Sequence, residues 1–277
     1  VLGANSYGKS GIRLVKLLRP GDLHEIVDLT VAVQFEGDFA AAHVDGDNAN
    51  VLPTDTMKNT VYALAKNHPL GSIEAFGLDV SAHFLSANPQ VSRVSVTLTQ
   101  HPWERLAVRE RPHPHAFRRA GSETRTALVS RTPEAATVEA GLEGLVVLKS
   151  GESAFSGFRR DRYTTLPETR DRIFATSITA GWRYASAEAD FRLLHRGVRQ
   201  ALLETFAEHA SESVQHTLSA MGEAVLERHP EVLEVRLSLP NRHHLPVDLS
   251  PFGLQNSNEI FVATEEPYGL IEATLKR

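Results

Sequence analysis

The chain contains no cysteine. That excludes disulfides, a thiolate nucleophile and thiolate-ligated metal. No apolar run approaches the ~20 residues needed to cross a bilayer. There is no phosphate-binding P-loop, no dinucleotide-binding glycine fingerprint after a strand, no G-x-S-x-G and no H-E-x-x-H. Positive charge is not in excess: 29 Lys and Arg stand against 34 Asp and Glu, a net charge of −5. That balance argues against nucleic acid as the main partner. The chain begins at Val1 with no initiator Met and no signal-peptide pattern, and its last residues, Thr274 to Arg277, are not a peroxisomal address. The expectation is a cytoplasmic protein, short of a few leading residues, with no membrane partner.

What is present is ordinary for a globular protein: 277 residues, 42% hydrophobic and 23% charged, enough for one large domain or two of usual size. Hydrophobic periodicity orders the first half. Ile12 to Lys16 reads as a strand, and Glu25 to Gly37 as a stronger one, with Val27, Leu29, Val31, Val33 and Phe35 on one face. A polar turn at Asp45 to Asn50 leads to a helix over Thr54 to Lys66. Thr54 or Asp55 is read as its N-cap, and Met57, Val61, Leu64 and Ala65 form its apolar stripe. A second helix spans Ser72 to Ala87. Val91 to Thr99 is a strand, followed by strand composition at Trp103 to Val108 or at Thr124 to Arg131. Thr132-Pro133-Glu134 marks a boundary, giving domains 1–133 and 134–277.

The second half repeats the plan. Leu145 to Leu148 reads as a short buried strand and Ile173 to Tyr184 as another. Helices follow at Phe191 to His209 and Ser213 to Arg228, then an alternating strand at Val232 to Leu239. The segments Ala87 to Leu98 and Arg228 to Leu239 match in kind: helix end, proline, then alternation. This points to a duplicated ββααββ unit, an α+β architecture with helices over one face of antiparallel sheets. Open sheet edges call for a partner, so oligomerisation is expected.

Four clusters carry chemistry, each with a plain alternative. Tyr7-Gly8-Lys9-Ser10 has the wrong glycine spacing for a phosphate loop and reads alone as a surface lysine. Thr54-Asp55 opens a helix, where polar residues usually cap but free N–H groups can also receive an anion. Phe155-Ser156-Gly157-Phe158 leads toward Asp171-Arg172. The phenylalanines could be simple anchors, while Arg is the best planar fork for an oxyanion or enol-imide edge. Leu239-Pro240-Asn241-Arg242-His243-His244 ends a strand with unusual polarity. If the chain stays extended there, His243 and His244 point to opposite sides. His113 and His115 have an H-x-H spacing, but their flanking prolines favour a rigid turn over a metal site.

Taken in order, these residues resemble urate oxidase. The matching segments are Tyr7-Gly8-Lys9, Asp47-Asn48, Thr54 to Thr60, His113-Pro114-His115, Leu145 to Ser150, Phe155-x-Gly157-Phe158, Asp161-x-Tyr163 to Leu166, Asp171-Arg172, Ser213-Val214-Gln215 and Ser238 to Asn241 with His243. The resemblance implies the tunnelling fold, two tandem ββααββ domains whose homotetramer closes a β-barrel tunnel. It implies oxidation of urate by O2 to 5-hydroxyisourate and hydrogen peroxide, with no metal and no organic cofactor. By the same resemblance Phe155 stacks on the purine, Arg172 and Gln215 clamp its opposite edges, and the backbones of Val214 and Asp55 add contacts. Lys9, Thr54 and His243 form a proton relay, and Asn241 with Thr54 holds O2 or water above the ring. Lys9, Thr54 and Asp55 would come from one subunit and the rest of the site from its neighbour.

Two other readings compete. One is a non-catalytic purine- or pterin-binding module on the same fold, which would not need Lys9, Thr54 or His243. The other is a zinc-dependent cyclohydrolase, which the absence of cysteine opposes.

Overall fold

The computed structural model describes all residues from Val1 to Arg277. In chain order the elements are β1 (Tyr7–Leu18), β2 (Glu25–Gly37), α1 (Ala40–Val44), α2 (Thr54–Asn67), α3 (Ile73–Ala87), β3 (Val91–Gln100), β4 (Trp103–Val108), β5 (Arg111–Arg119) and β6 (Thr124–Arg131). The second half holds β7 (Ala136–Lys149), β8 (Phe174–Tyr184), α4 (Phe191–Glu208), α5 (Val214–Arg228), β9 (Val232–Arg242), β10 (His244–Pro246), β11 (Phe261–Ala263) and β12 (Gly269–Lys276), with a 3-10 turn at Ser250–Phe252. The expected α+β plan of two tandem ββααββ halves is there. Two compact units can be drawn, Val1–Leu142 with Trp182–His195, and Glu143–Gly181 with Arg196–Arg277.

In the first unit the strands run in the order β1-β2-β3-β6, each pair antiparallel. The alternation in β2 sets which face is buried. Val27, Leu29, Val31, Val33 and Phe35 all lie in the core with Met57, Val61 and Ala65 of α2 and Ile73, Phe76, Val80 and Phe84 of α3. Full burial of a side chain such as Phe76 or Met57 stabilises by about 1.5–3 kcal/mol, more than any single cap. Phe35 also meets Phe84 edge to face, with ring centroids 5.2 Å apart. Glu74 is fully buried in the first turn of α3 and receives Arg125 of β6 on both carboxylate oxygens, at 2.8 and 2.6 Å. Removing one partner of such a pair costs roughly 3–5 kcal/mol, because a buried charge is left alone.

In the second unit β9 and β12 pair antiparallel, from Gly269 opposite Asn241 to Lys276 opposite Glu234. Helix α5 packs on both strands. Its Gly222 lets Leu275 of β12 approach so closely that an added Cβ would stand 2.5 Å from the leucine Cδ1.

Several local expectations need correction. The segment Leu145–Leu148 is the end of a 14-residue strand, not a short buried one, and Val146 and Leu148 are 49% and 52% exposed. His113 and His115 lie in strand β5, paired with β4 in a two-stranded ribbon, not in a rigid turn. An isolated ribbon leaves an edge free on each strand, and a proline whose missing N–H would face outward is tolerated there. Trp103 to Val108 and Thr124 to Arg131 are both strands, the first in the ribbon and the second in the main sheet. Helix α1 and strands β10 and β11 carry no periodic signal strong enough to read; β12 does alternate, with Ile271, Ala273 and Leu275 against Glu272, Thr274 and Lys276, and was overlooked.

Candidate functional site

Lys9, Thr54 and Asp55 belong to the first unit, and Phe155, Arg172, Val214, Gln215, Asn241 and His243 to the second. Each group has its own local geometry.

Lys9 sits in β1 opposite Val33, just before an irregularity in the ladder. The next registered pair is Ile12 with Val31, so Ser10 and Gly11 together face Ala32. That is a β-bulge, with Gly11 at φ +69°. On the other side of Lys9, Gly8 lets the β2 backbone come very near: a Cβ at Gly8 would lie 1.9 Å from the Val33 carbonyl oxygen. The strand around Lys9 is thus fixed by a close approach before it and a bulge after it.

Neither Thr54 nor Asp55 is the N-cap of α2. The cap position is Pro53, at φ −55° and ψ 135°, with no side-chain cap bond, and Thr54 and Asp55 are the first two helical residues. The proline ring already holds φ where a cap residue needs it, so the chain enters the helix one residue early. The Asp55 carboxylate instead accepts from Lys58, three residues on, and from Asn59 Nδ2 at 3.1 Å. The Lys58 hydrogen bond and charge, with smaller help from Asn59 and Lys9, hold Asp55 below the usual carboxylate range. The half-buried Thr54 is left with its hydroxyl uncommitted to capping.

The second group is more concentrated. Phe155, Arg172, Asn241 and His243 line one cavity of about 370 Å³, with Leu166, Ile173, His244, Asn258 and Phe261 among its other walls. That volume suits a small planar ligand. Phe155 is fixed by two backbone hydrogen bonds with Thr169, at 2.8 and 3.0 Å. The Arg172 backbone N–H donates to Ser153 O at 2.9 Å, and its guanidinium carbon lies 5.3 Å from the centre of the Phe155 ring. Burial pushes the guanidinium pKa down from its ordinary value. Its Nε is buried without a hydrogen-bond partner, a costly arrangement for a cationic donor. Asn241 is held opposite Gly269, and the His243 carbonyl accepts from Thr264 N at 2.9 Å.

Val214 and Gln215 do not line that cavity. They open α5 behind the Ser213 cap, whose hydroxyl accepts from His216 N at 3.1 Å. Val214 is in the core and Gln215 is exposed.

His244, singled out in the sequence beside His243 but not assigned to the site, lines the same cavity as His243, at the start of β10 just after β9 ends at Arg242. Phe261 was missed for want of any pattern around it. Phe158, read in the sequence beside Phe155 as an anchor, stacks on the Phe155 ring and does not itself line the cavity. No group of three or more His, Asp or Glu side chains converges to hold a metal. His113 and His115 stand with ring centroids 4.7 Å apart, edge to face. No helix is long and apolar enough to cross a membrane.

The uricase family model matches residues 5–130 and 138–272. The chain belongs to the uricase family. It is 50% identical over 277 residues to the uricase of Arthrobacter globiformis, covering 100% of this chain and 90% of that protein. It is 35% identical to the uricase of Dictyostelium discoideum, covering 99% and 96%. The crystal structure of the Arthrobacter globiformis uricase superposes with a TM-score of 0.95 at 49% identity, covering 100% of this chain and 95% of that one. Uricase membership carries a class of chemistry, the oxidation of urate, and makes this chain an oxidoreductase of purine catabolism. It disfavours both the non-catalytic module and the cyclohydrolase.

Proposed function

We propose that this chain oxidises urate with O2 to 5-hydroxyisourate and hydrogen peroxide, using only its own side chains. Two electrons leave the purine, O2 takes them up with two protons as hydrogen peroxide, and a water oxygen ends on the purine C5. Residues 1–133 and 134–277 act as duplicated domains, and a homotetramer brings Lys9, Thr54 and Asp55 of one subunit to the cavity of the next.

The observation that carries this reading is the Arg172 guanidinium, buried beside Phe155 with an unpartnered Nε, in a cavity shared with Asn241 and His243. A flat, electron-rich anion answers all of these at once. Its face stacks on Phe155. Its edge accepts two parallel charge-assisted hydrogen bonds from Arg172. Gln215 pairs with the opposite edge through an amide that can both donate and accept. The clamp favours the urate dianion, which yields electrons to O2 more readily than the monoanion. Lys9 takes the proton through the Thr54 hydroxyl, His243 extends the relay through water, and Asn241 holds O2 above the ring.

The test is turnover by the intact oligomer after prolonged chelation. Loss of the near-ultraviolet absorbance of urate with one peroxide per urate is expected; no turnover would overturn the reading. Arg172→Ala should weaken binding of urate and of unreactive xanthine alike, by roughly ten- to a hundredfold for a lost charge-assisted bond. Unchanged affinity for both would remove Arg172 from the site.

A further inference from the structure

The ring assigned to the purine face is itself one member of a stack. Phe158 lies on Phe155 with centroids 4.9 Å apart and planes within 14° of parallel. Beyond it, the Arg160 guanidinium carbon lies 5.1 Å from the centre of the Phe158 ring. The turn that folds the two phenylalanines together passes through Gly157 at φ +68°, a conformation that costs any other L-residue roughly 1–2 kcal/mol.

We infer that Phe158, held by Arg160, is a positioning residue for urate: it fixes the plane of Phe155 and leaves that ring one face for the purine. This rests on the reading that Phe155 stacks on the substrate. An aromatic ring has two faces: Phe158 covers one, and the Arg172 guanidinium that meets the purine edge lies over the ring 5.3 Å from its centre, so the purine shares the other face with Arg172 alone. The Phe155 backbone is tied to Thr169, but a tied backbone does not stop the ring from turning about its own side-chain bonds. A near-parallel neighbour does, because rotation would forfeit the stacked contact. Phe155 then meets its ligand already oriented, and the entropy of ordering it is not charged to binding.

Arg160 is exposed and its guanidinium lies over the Phe158 ring, 5.1 Å from its centre. Water and salt screen the direct pull of an exposed charge on a ligand it does not touch. Its contribution passes through Phe158, as a cation over a ring face.

The experiment uses the full-length oligomer and measures xanthine affinity together with KM and kcat for urate. Phe158→Ala should raise the xanthine dissociation constant and the urate KM by about three- to tenfold, the worth of an aromatic pair. Its kcat should stay within about twofold, since a correctly seated purine still meets the same relay. Phe158→Leu fills the space without a flat face and should behave like Phe158→Ala, whereas Phe158→Tyr should regain wild-type affinity. Arg160→Gln should weaken xanthine by about two- to fivefold. Full affinity in Phe158→Leu would reduce the residue to packing and overturn the inference, as would an unchanged KM in Phe158→Ala. If Phe158→Ala does not fold, the Leu and Tyr pair decides alone. Phe155→Ala separates the two levels. If it binds xanthine as well as the wild type, stacking on Phe155 is wrong. If it weakens binding and the Phe158 variants do not, only the positioning role fails.

Discussion

Helices α2 and α5 occupy matching places in the two halves and begin differently. Both carry proposed substrate contacts at their first two positions, Thr54 and Asp55 in one, Val214 and Gln215 in the other. Helix α5 is closed by Ser213, which satisfies the N–H of His216. Helix α2 starts after Pro53 and has no side-chain cap. A missing cap costs about 1 kcal/mol, and the buried Met57 and Val61 offset it. The difference teaches what each start is free to do. The α5 start is a finished structural end that displays a side chain. The α2 start keeps outward-facing N–H groups and an uncommitted hydroxyl, which suits a place where protons and anions come and go.

The largest expected effect tests that division directly. Thr54→Ala and Lys9→Met should each lower kcat by roughly 10²–10⁴, the usual worth of positioned proton transfer, with far smaller changes in KM. Gln215→Ala should do the reverse, weakening urate and xanthine by about two- to tenfold for lost neutral hydrogen bonds while sparing kcat. If all three variants change the same constant, the two helix starts do not differ in role.

A cap exchange sharpens the comparison further. Ser213→Ala should cost about 1 kcal/mol of stability, read as a lower midpoint in thermal or denaturant unfolding. Pro53→Ser should give α2 the cap it lacks and raise stability by up to about 1 kcal/mol. It should also weaken purine binding, because the new hydroxyl competes for the N–H groups. Raised stability with untouched affinity would show that these groups do not meet the ligand.

The smallest effect is with pH. Next to the α5 start, His209 faces the His216 ring at 4.3 Å, bonds Thr217 Oγ1 at 3.2 Å, and its carbonyl receives Lys149 Nζ. Burial first, then the charges of His216 and Lys149, push its imidazole below the ordinary value of 6.5. The unfolded chain therefore binds this proton first. Stability falls as pH drops through 6.5 toward the folded-state value and levels off below it. His209→Gln should flatten that slope in unfolding midpoints measured from pH 7.5 to 5; an identical slope would show that His209 does not set it.

Much of the fold was legible because both halves bury one face by strict period. The alternation of β2, β3 and β9 and the stripes of α2 and α3 fixed those elements to within a few residues. Elements escaped where composition opposed their role. The prolines of β5 read as a turn, although a ribbon edge accepts them, and short β10 and β11 have too few residues to show a period. The helix start was misread by one residue because capping rules favour Thr and Asp for their side chains, while here the fixed φ of Pro53 takes the cap position. In the site, Phe155, Arg172, Asn241 and His243 came from a resemblance that spans the chain, and the structure gathers those four around one cavity. His244 was visible in the sequence, but an extended chain would send it to the side away from His243, whereas with the strand interrupted between β9 and β10 both line the cavity; Phe261 was not legible, because the three-residue β11 that carries it shows no pattern.

Gly8 has one more consequence. With the Val33 carbonyl oxygen 1.9 Å from where a Cβ would stand, any other residue must push β1 away from β2 and carry Lys9 with it. A screen for inactivating substitutions would therefore score position 8 beside the lysine proposed as base, although glycine offers no side-chain atom that could take a proton. Its place in the reaction is one of surveying: it marks where its neighbour must stand.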